Sequence, residues 1–252
     1  MIEIRNITLA FGTNRLITDA TACFECGNMV ALLGRNGTGK STLLRAMAGL
    51  GRVESGNVVV AGRDLAALSA TERAKHIAFV NTERVDVDAL TVRELVGIGR
   101  SPYTNWIGSL NAEDCKIVEH AMEVTGVMKF ADRKVNTLSD GEAQRAMIAR
   151  ALAQDTPIIL LDEPTSFLDL PNRYELCRLL SDLAHRENKC VVFSTHELDI
   201  ALSLADSIAL VDTPQLVHLP TSEMINSGNI ERLFDSEYIS FDASTGAIQL
   251  RR

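Results

Sequence analysis

The spacing of apolar residues changes several times along this chain. Between Ile2 and Leu9 apolar and polar residues roughly alternate, as in a strand with one buried face, and we predict an edge strand of an antiparallel sheet there. Residues 16–24 form a second predicted strand. Residues 29–33 are continuously apolar, which is typical of a short strand buried on both faces.

Further along the chain, predicted strands alternate with predicted helices. Ser69 with Glu72, and Thr91 with Glu94, have the spacing of a capping box, which marks the first turn of a helix. Residues 84–142 are predicted to form a helical insertion. The alternation predicts a mostly parallel sheet with helices on both faces. The remaining predicted strands are residues 58–60, 77–80, 158–161, 190–194 and 207–211, and the remaining predicted helices are residues 40–49, 171–187, 197–206 and a helix starting at residue 139.

The composition is that of a folded globular protein. The chain has 252 residues, of which 46% are hydrophobic and 23% are charged, enough for one large α/β domain or for a core with an inserted subdomain. No apolar run approaches the roughly 18–20 residues that cross a bilayer, and the first residues lack the pattern of a signal peptide. We therefore expect a cytoplasmic chain without a membrane span of its own.

Charge and cysteine spacing argue against two further classes of function. The net charge of −8, without a clustered basic stretch, argues against a nucleic-acid partner. Cys23 and Cys26 have a C-x-x-C spacing, but no second pair and no histidines at matching spacing accompany them, so we predict no zinc site. We expect free thiols, at a strand end and in a turn.

A glycine-rich loop lies between the continuously apolar strand and the helix that follows it. Its glycines let backbone N–H groups point at phosphate oxygens, and the helix N-terminus adds partial positive charge. Lys40 is expected to reach the β- and γ-phosphates, and the Ser41 hydroxyl to bind Mg²⁺. A chance glycine-rich turn is the alternative, but the strand–loop–helix setting favours a nucleotide site. The residues expected to bind nucleotide here are Gly34, Arg35, Asn36, Gly37, Thr38, Gly39, Lys40, Ser41 and Thr42.

Two adjacent carboxylates follow the apolar strand predicted at residues 158–161. We expect Asp162 to hold Mg²⁺ through its water shell, and Glu163 to orient and polarise the attacking water. A solvated acidic turn is the alternative. The phosphate loop in the same chain makes a nucleotide-hydrolysing site the favoured interpretation.

Further motifs lie between and after these two elements. Residues 138–142 open a predicted helix, Asp169 follows the carboxylates, and His196 ends a predicted strand. In order and spacing these segments resemble the ATP-binding cassette (ABC) ATPases over about residues 1–215. The resemblance implies a P-loop NTPase (RecA-like) α/β core with an N-terminal antiparallel β subdomain and an inserted α-helical subdomain. It also implies ATP as the substrate and Mg²⁺ as the cofactor.

The resemblance assigns a role to each motif. Phe11 stands where the family stacks an aromatic ring on adenine. His196 stands where a histidine contacts the γ-phosphate, although a structural histidine at a strand end is the alternative. Asp169 matches the D-loop carboxylate, which links the two sites of a dimer. Glu163, His196 and Lys40 are the implied catalytic residues.

The segment at residues 138–142 resembles the ABC signature. Ser139 and Glu142 have capping-box spacing at a helix N-terminus, where exposed N–H groups attract anions. In the family this helix end contacts the γ-phosphate held by the other chain, so one P-loop and one signature per chain imply two copies arranged head to tail. The signature residues are Leu138, Ser139, Asp140, Gly141 and Glu142.

Two positions depart from the family pattern. Asp140 stands where glycine is usual, and it places a carboxylate near the expected anion site. Thr82 stands where the family has the Q-loop glutamine, which senses Mg²⁺ and the γ-phosphate. Glu83 is the nearest residue of comparable reach, and we expect it to act as the substitute.

The helical insertion favours one branch of the family. Residues 90–108, which include Tyr103 and Trp106, resemble the ATPases of importers for iron–siderophore, haem and cobalamin. The two aromatic residues are predicted either to pack within the insertion or to line the groove for a permease helix. An importer implies separate transmembrane permease subunits and, indirectly, a substrate-binding protein. The chain is then expected to lie on the cytoplasmic face of the membrane.

Other ABC machines are the alternatives. The roughly 55 residues between the strand at 77–80 and the signature leave no room for the coiled-coil arms of DNA-repair members, and translation-type members carry two cassettes. A soluble ATPase of iron–sulfur cluster assembly, or an exporter ATPase, stays open. We predict one ABC domain that consists of a catalytic core (1–83 and 143–215), a helical subdomain (84–142) and a C-terminal extension (216–252).

Overall fold

A computed structural model describes residues 1–12, 14–81, 87–104 and 108–251 of the chain. The strands are β1 (Ile2–Phe11), β2 (Asn14–Phe24), β3 (Met29–Leu33), β4 (Ser55–Val60), β5 (Arg63–Asp64), β6 (Ile77–Val80), β7 (Ile158–Leu161), β8 (Cys190–Thr195), β9 (Ser207–Asp212), β10 (Gln215–Pro220), β11 (Ile239–Asp242) and β12 (Ala247–Leu250). The α-helices are α1 (Lys40–Met47), α2 (Ala70–Ala74), α3 (Val92–Ile98), α4 (Ala112–Val124), α5 (Asp140–Ala153), α6 (Leu170–His185), α7 (Leu198–Leu204), α8 (Thr221–Asn226) and α9 (Asn229–Phe234).

The main sheet has the strand order β10-β9-β3-β8-β7-β6. Strands β3 and β6 to β9 run parallel, and β10 is antiparallel to β9, which confirms the predicted mostly parallel sheet. Successive side chains of β3 point to opposite faces. Met29 and Leu33 therefore pack into a core on one face of the sheet, and Val30 and Leu32 into a core on the other.

A second, antiparallel sheet has the strand order β2-β1-β4-β5. Strand β1 pairs with β2 on one side and with β4 on the other, so the predicted edge position of the first strand is wrong. The alternation in that strand was a correct sign of one buried face, because Ile2 and Leu9 are buried between the two sheets. Alternation of apolar and polar residues shows which face of a strand is buried. It does not show whether one or both edges of that strand are hydrogen-bonded to neighbouring strands.

The helical insertion begins at the predicted capping box. Thr91 Oγ1 accepts the N–H of Glu94, and the Glu94 carboxylate accepts the N–H of Thr91. Val92 N–H donates to Arg133 O at 3.0 Å, which ties the start of α3 to the segment after α4. Helix α5 packs against α3, α4 and β6. The predicted division between residues 142 and 143 therefore falls inside α5, and the domain division stays a prediction.

A buried ion pair holds the insertion together. Arg100 Nε donates to Asp114 Oδ1 at 2.9 Å, and Arg100 Nη1 donates to Ala153 O at 3.0 Å. The Arg100 guanidinium carbon lies 4.1 Å from the centre of the Tyr103 ring, a cation–π contact. Tyr103 thus packs within the insertion on one ring face while 38% of the residue stays exposed. Trp106, the second aromatic of the prediction, lies outside the described residues.

The C-terminal part adds structure that the sequence pattern did not predict. Strand β10 extends the main sheet, α8 and α9 follow it, and β11 pairs with β12 as a hairpin. In the described ranges, none of the helices has the length and apolar character needed to span a membrane.

Candidate active site

The glycine-rich loop between β3 and α1 has a conformation that requires glycine. Gly37 and Gly39 have φ angles of 81° and 100°, in the left-handed region that glycine adopts most readily. A Cβ atom on Gly39 would also lie 3.0 Å from Leu16 Cβ, and one on Gly34 would lie 2.8 Å from Val211 O. The loop therefore packs closely against β2 and β9.

Lys40, the first residue of α1, turns its side chain back into this loop. Its Nζ donates to Gly34 O at 2.9 Å and to Arg35 O at 3.1 Å. The side chain is buried, and burial lowers the pKa of Lys40, while the carboxylates of Glu163 and Asp162 act in the opposite direction. The ammonium group is thus held beside the backbone of the loop and close to the two carboxylates.

A cavity of about 380 Å³ lies against the loop. Phe11, at the end of β1, forms one side of it with 77% of the residue exposed, and Glu163 forms another. Among the described residues that line this cavity, none belongs to the signature segment. The lining residues are Phe11, Leu16, Asn36, Gly37, Gly39, Lys40, Ser41, Thr42 and Glu163.

The two carboxylates follow β7, and hydroxyl groups hold them in place. Asp162 is buried, and its Oδ1 accepts hydrogen bonds from Ser41 Oγ at 2.9 Å and from Ser194 Oγ at 2.8 Å. The N–H of Glu163 donates to the same Ser194 Oγ at 2.8 Å. Residues of α1, β7 and β8 therefore meet in one hydrogen-bonded cluster.

The oxygen atoms of this cluster suit a magnesium ion. Mg²⁺ prefers oxygen ligands and is usually held by one or two carboxylates together with substrate phosphates and water. The Ser41 hydroxyl and the Asp162 carboxylate, whose oxygens are 2.9 Å apart, are such a partial set. No group of three or more His, Cys, Asp or Glu side chains suited to a metal occurs within the described ranges.

His196 follows β8 and lies beside the second carboxylate. Its Nδ1 is 3.7 Å from Glu163 Oε1. The adjacent Glu197 accepts a hydrogen bond from Thr165 Oγ1 at 3.1 Å and pairs with Arg173. Thr165 precedes the D-loop and Arg173 belongs to α6, so the hydrogen bond and the ion pair of Glu197 join the histidine-bearing loop to the segments on both sides of the D-loop.

The signature segment forms the N-terminus of α5. Ser139 Oγ accepts the N–H of Glu142 at 3.4 Å, and Glu142 Oε2 accepts the N–H of Ser139 at 2.9 Å. That backbone hydrogen bond is the main reason why the pKa of Glu142 is lowered. Asp140 lies in the first turn of α5, where the partial positive charge of the helix end favours a carboxylate.

The remaining predicted positions fall into two groups. Asp169 caps α6 by accepting the N–H of Asn172 at 3.2 Å. It lies one helical turn before Arg173, which pairs with Glu197. Thr82 and Glu83, predicted to replace the Q-loop glutamine, lie outside the described residues.

Sequence reasoning missed three parts of this site. The sequence motifs give no role to Ser194, although a hydroxyl at the end of an apolar strand is itself a signal. Leu16, which packs against Gly39, has no distinguishing mark in the sequence. The partners Arg173 and Glu197 are 24 residues apart, and only the fold brings them together.

Comparison with known proteins finds relatives over nearly the whole chain. The family model described as ABC transporter matches residues 17–166. A cobalamin import ATP-binding protein of Halobacterium salinarum is 38% identical over 251 residues, which make up 98% of this chain. The chain spans 62% of the length of that relative.

Two solved structures are similar to the fold. One, described as a metal-chelate type ABC transporter in an inward-facing conformation, gives a TM-score of 0.81 at 30% identity and covers 92% of this chain and 88% of its own. A dimeric bacterial ABC transporter cassette gives a TM-score of 0.75 at 27% identity over 88% of this chain and 99% of its own. Because the family model covers more than half of the sequence, and the solved cassettes share its fold, this chain belongs to the ABC transporter family.

Proposed function

We propose that this chain binds and hydrolyses ATP. The observation that carries the proposal is the meeting of Lys40, Ser41, Asp162 and Glu163 at one end of the parallel sheet, beside a cavity with Phe11 on its other side. These groups provide a cation for phosphates, oxygen ligands for a metal ion, a general base and an aromatic face. Lys40, Ser41, Asp162 and Glu163 lie within residues 17–166, the part of the chain that matches the family model, and Phe11 lies before that part.

In this proposal each element has a distinct task. The N–H groups of residues 34–42 and the Lys40 ammonium group bind the β- and γ-phosphates, and the Phe11 ring stacks on adenine. Ser41 and Asp162 would hold Mg²⁺, which supplies charge neutralisation between the phosphates when bound. Glu163 accepts a proton from the attacking water. His196, 3.7 Å from Glu163, contacts the γ-phosphate.

The site is proposed to be completed by a second copy. The cavity is lined by the phosphate loop, and the signature at the start of α5 lies elsewhere. A head-to-tail pair with two-fold symmetry would place Ser139 and Gly141 of each chain against the γ-phosphate of the other, and Asp169 near the shared interface. The similarity to a cassette solved as a dimer supports this arrangement.

The transport role follows from the relatives rather than from the site. A cobalamin import ATP-binding protein and a metal-chelate type transporter are similar to this chain. We propose that the chain powers uptake of an iron chelate or cobalamin. It would act as a peripheral subunit on the cytoplasmic face of a separate permease, to which a substrate-binding protein delivers the substrate.

The proposed sensing role of Glu83 belongs to the same proposal. Unchanged transport-coupled hydrolysis in Glu83→Ala would contradict it.

Glu163→Gln tests the ATPase proposal. We expect hydrolysis to fall by about 10² to 10⁴ because the general base is lost, while ATP binding persists and a stable dimer accumulates. Nucleotide binding, phosphate release and mass by light scattering would be measured on the same samples. A variant that binds ATP and stays monomeric at high concentration would contradict the head-to-tail pair.

Purification from native membranes tests the importer proposal. A polytopic permease should purify with the chain, and addition of its chelate with the binding protein should stimulate hydrolysis. Purification with a scaffold of iron–sulfur cluster assembly instead would contradict import and favour the alternative function.

A further inference from the structure

Ser194 lies between the two halves of the site. Strand β8 is hydrogen-bonded between β3 and β7, so its C-terminal end separates the phosphate loop from the carboxylates. The side chain of Ser194 is fully buried, with 0% of the residue exposed. A hydroxyl group in such a place needs hydrogen-bond partners within the protein.

Both partners of this hydroxyl belong to the carboxylate pair. Ser194 Oγ donates to Asp162 Oδ1 at 2.8 Å and accepts the N–H of Glu163 at 2.8 Å. A serine hydroxyl has one hydrogen and two lone pairs, so its single hydrogen is used by Asp162. One atom therefore fixes the side chain of Asp162 and the backbone of Glu163 at the same time.

The backbone of Glu163 needs such support. Its φ angle is 43°, in the left-handed region that residues other than glycine rarely adopt. Its N–H is held by Ser194, and its carbonyl oxygen accepts Ser166 Oγ at 2.8 Å and Ser166 N–H at 3.1 Å. The direction of the Glu163 side chain follows from this backbone conformation, because φ and ψ restrict the rotamers.

We propose that Ser194 is a positioning residue for ATP hydrolysis. Its hydroxyl sets the Asp162 carboxylate and the Glu163 backbone relative to the phosphate loop, and it acts through these two residues. The inference rests on the proposed function and adds a residue for which the sequence motifs give no role. The alternative is that the hydroxyl only satisfies hydrogen bonding in a buried strand.

A pair of substitutions separates positioning from stability. Ser194→Ala removes the hydroxyl, and we expect kcat to fall about tenfold, as for other groups that orient a metal-ligating carboxylate. Ser194→Thr keeps the hydroxyl, so it should restore most of kcat although its extra methyl group crowds the core and lowers Tm. KM for Mg-ATP should rise by no more than about fivefold in Ser194→Ala, in line with the weaker hold on the metal ion, and should stay near the wild-type value in Ser194→Thr.

Nucleotide binding gives a readout that does not depend on turnover. Affinity for a fluorescent ATP analogue in EDTA should be the same for wild type and Ser194→Ala. The gain in affinity on adding Mg²⁺ should be about fivefold smaller in Ser194→Ala, because Asp162 is no longer held in one orientation. Thr156→Val is the matched control. Thr156 is about as buried as Ser194, it lies just before β7, at the end of that strand away from the carboxylates, and its hydroxyl donates to Ile158 O at 2.8 Å.

Three outcomes distinguish the positioning role of Ser194, its absence and a failure of the proposed function. Loss of kcat in Ser194→Ala, its return in Ser194→Thr and unchanged kcat in Thr156→Val support the positioning role. Equal kcat in wild type and Ser194→Ala, or kcat that simply follows Tm across the variants, overturns it while leaving the ATPase proposal intact. A wild-type protein that does not hydrolyse ATP contradicts the proposed function itself.

Discussion

At the scale of single residues, one of the two departures from the family pattern, Asp140, has a local explanation. Asp140 lies in the first turn of α5 beside the capping box of Ser139 and Glu142. A carboxylate there stabilises its own helix end. In the proposed dimer the same helix end faces a phosphate, so the residue that helps the isolated helix opposes the bound anion. Helix stability and dimer closure therefore favour different residues at this position.

Asp140→Asn is expected to strengthen ATP-driven dimerisation. In a Glu163→Gln background the dissociation constant of the ATP-bound dimer should fall about 25-fold, which corresponds to about 2 kcal/mol, because the two-fold dimer loses two repulsions near water of about 1 kcal/mol each. Sedimentation at 0.1 M and 1 M salt would measure it, and the gain should shrink at high salt because of screening. Asp132→Asn, an exposed charge change in the same insertion, is the control. An equal gain in both variants would contradict a local effect.

At the scale of elements, a small set of buried polar contacts fixes the helical insertion. Arg100, just after α3, donates to Asp114 in α4 and to Ala153 O at the end of α5. Close packing of the same helices explains Gly99, where a Cβ atom would lie 2.2 Å from Arg150 O. The helix that carries the signature is thereby joined to the rest of the insertion.

Arg100→Met is expected to destabilise the fold by about 3 kcal/mol, because Asp114 would stay buried without its cation. Urea unfolding at pH 7 would measure it. A hydrogen bond from Asn111 N–H and the contact with Arg100 lower the pKa of Asp114. Its stabilising effect is therefore present above the ordinary carboxyl pKa and is lost as pH falls, so the difference between wild type and variant should shrink toward acid pH.

Two controls accompany this measurement. Arg100→Met combined with Asp114→Asn should lose less stability than Arg100→Met alone, because no buried charge is left unpaired. Arg178→Met changes an exposed arginine of α6, and we expect an effect within about 0.5 kcal/mol. A loss in Arg178→Met as large as in Arg100→Met would contradict the ion-pair explanation.

At the scale of the whole molecule, one chain assembles only part of the proposed site. The phosphate loop, the carboxylates, Phe11 and His196 meet on one side, whereas the signature begins α5 outside the cavity lining. The acting unit is therefore proposed to be a pair, in which each site takes a loop from one chain and a signature from the other.

Mixing two inactive variants tests this arrangement. Lys40→Ala removes the phosphate cation, and Ser139→Asp keeps a capping oxygen but adds a charge that repels phosphate. Each alone should be inactive. An equal mixture should regain about a quarter of wild-type hydrolysis, because about half of the dimers are mixed and each has one intact site. A mixture as inactive as its components would contradict sites shared between chains.

The identity and order of the candidate functional motifs along the chain could be predicted from the sequence by itself. The loop before Lys40, the carboxylates after a buried strand and the capping boxes depend on contacts within a few residues, and such contacts leave a local pattern. The predicted strand at residues 77–80 agrees with β6 for the same reason. The C-terminal strands and helices left no such pattern and were not predicted.

Only the tertiary structure decided which distant residues touch. Three features depend on strand order and on how the elements pack. They are the interior position of β1 in its sheet, the hydrogen bonds of Ser194 to Asp162 and Glu163, and the ion pair of Arg173 with Glu197. Their partners are separated by tens of residues. A hydrogen bond between neighbouring strands places no constraint on the spacing of residues along the chain, so it leaves no pattern in the sequence. The sequence therefore predicted the candidate functional groups, and the packing of the sheet determined which residues hold them in place.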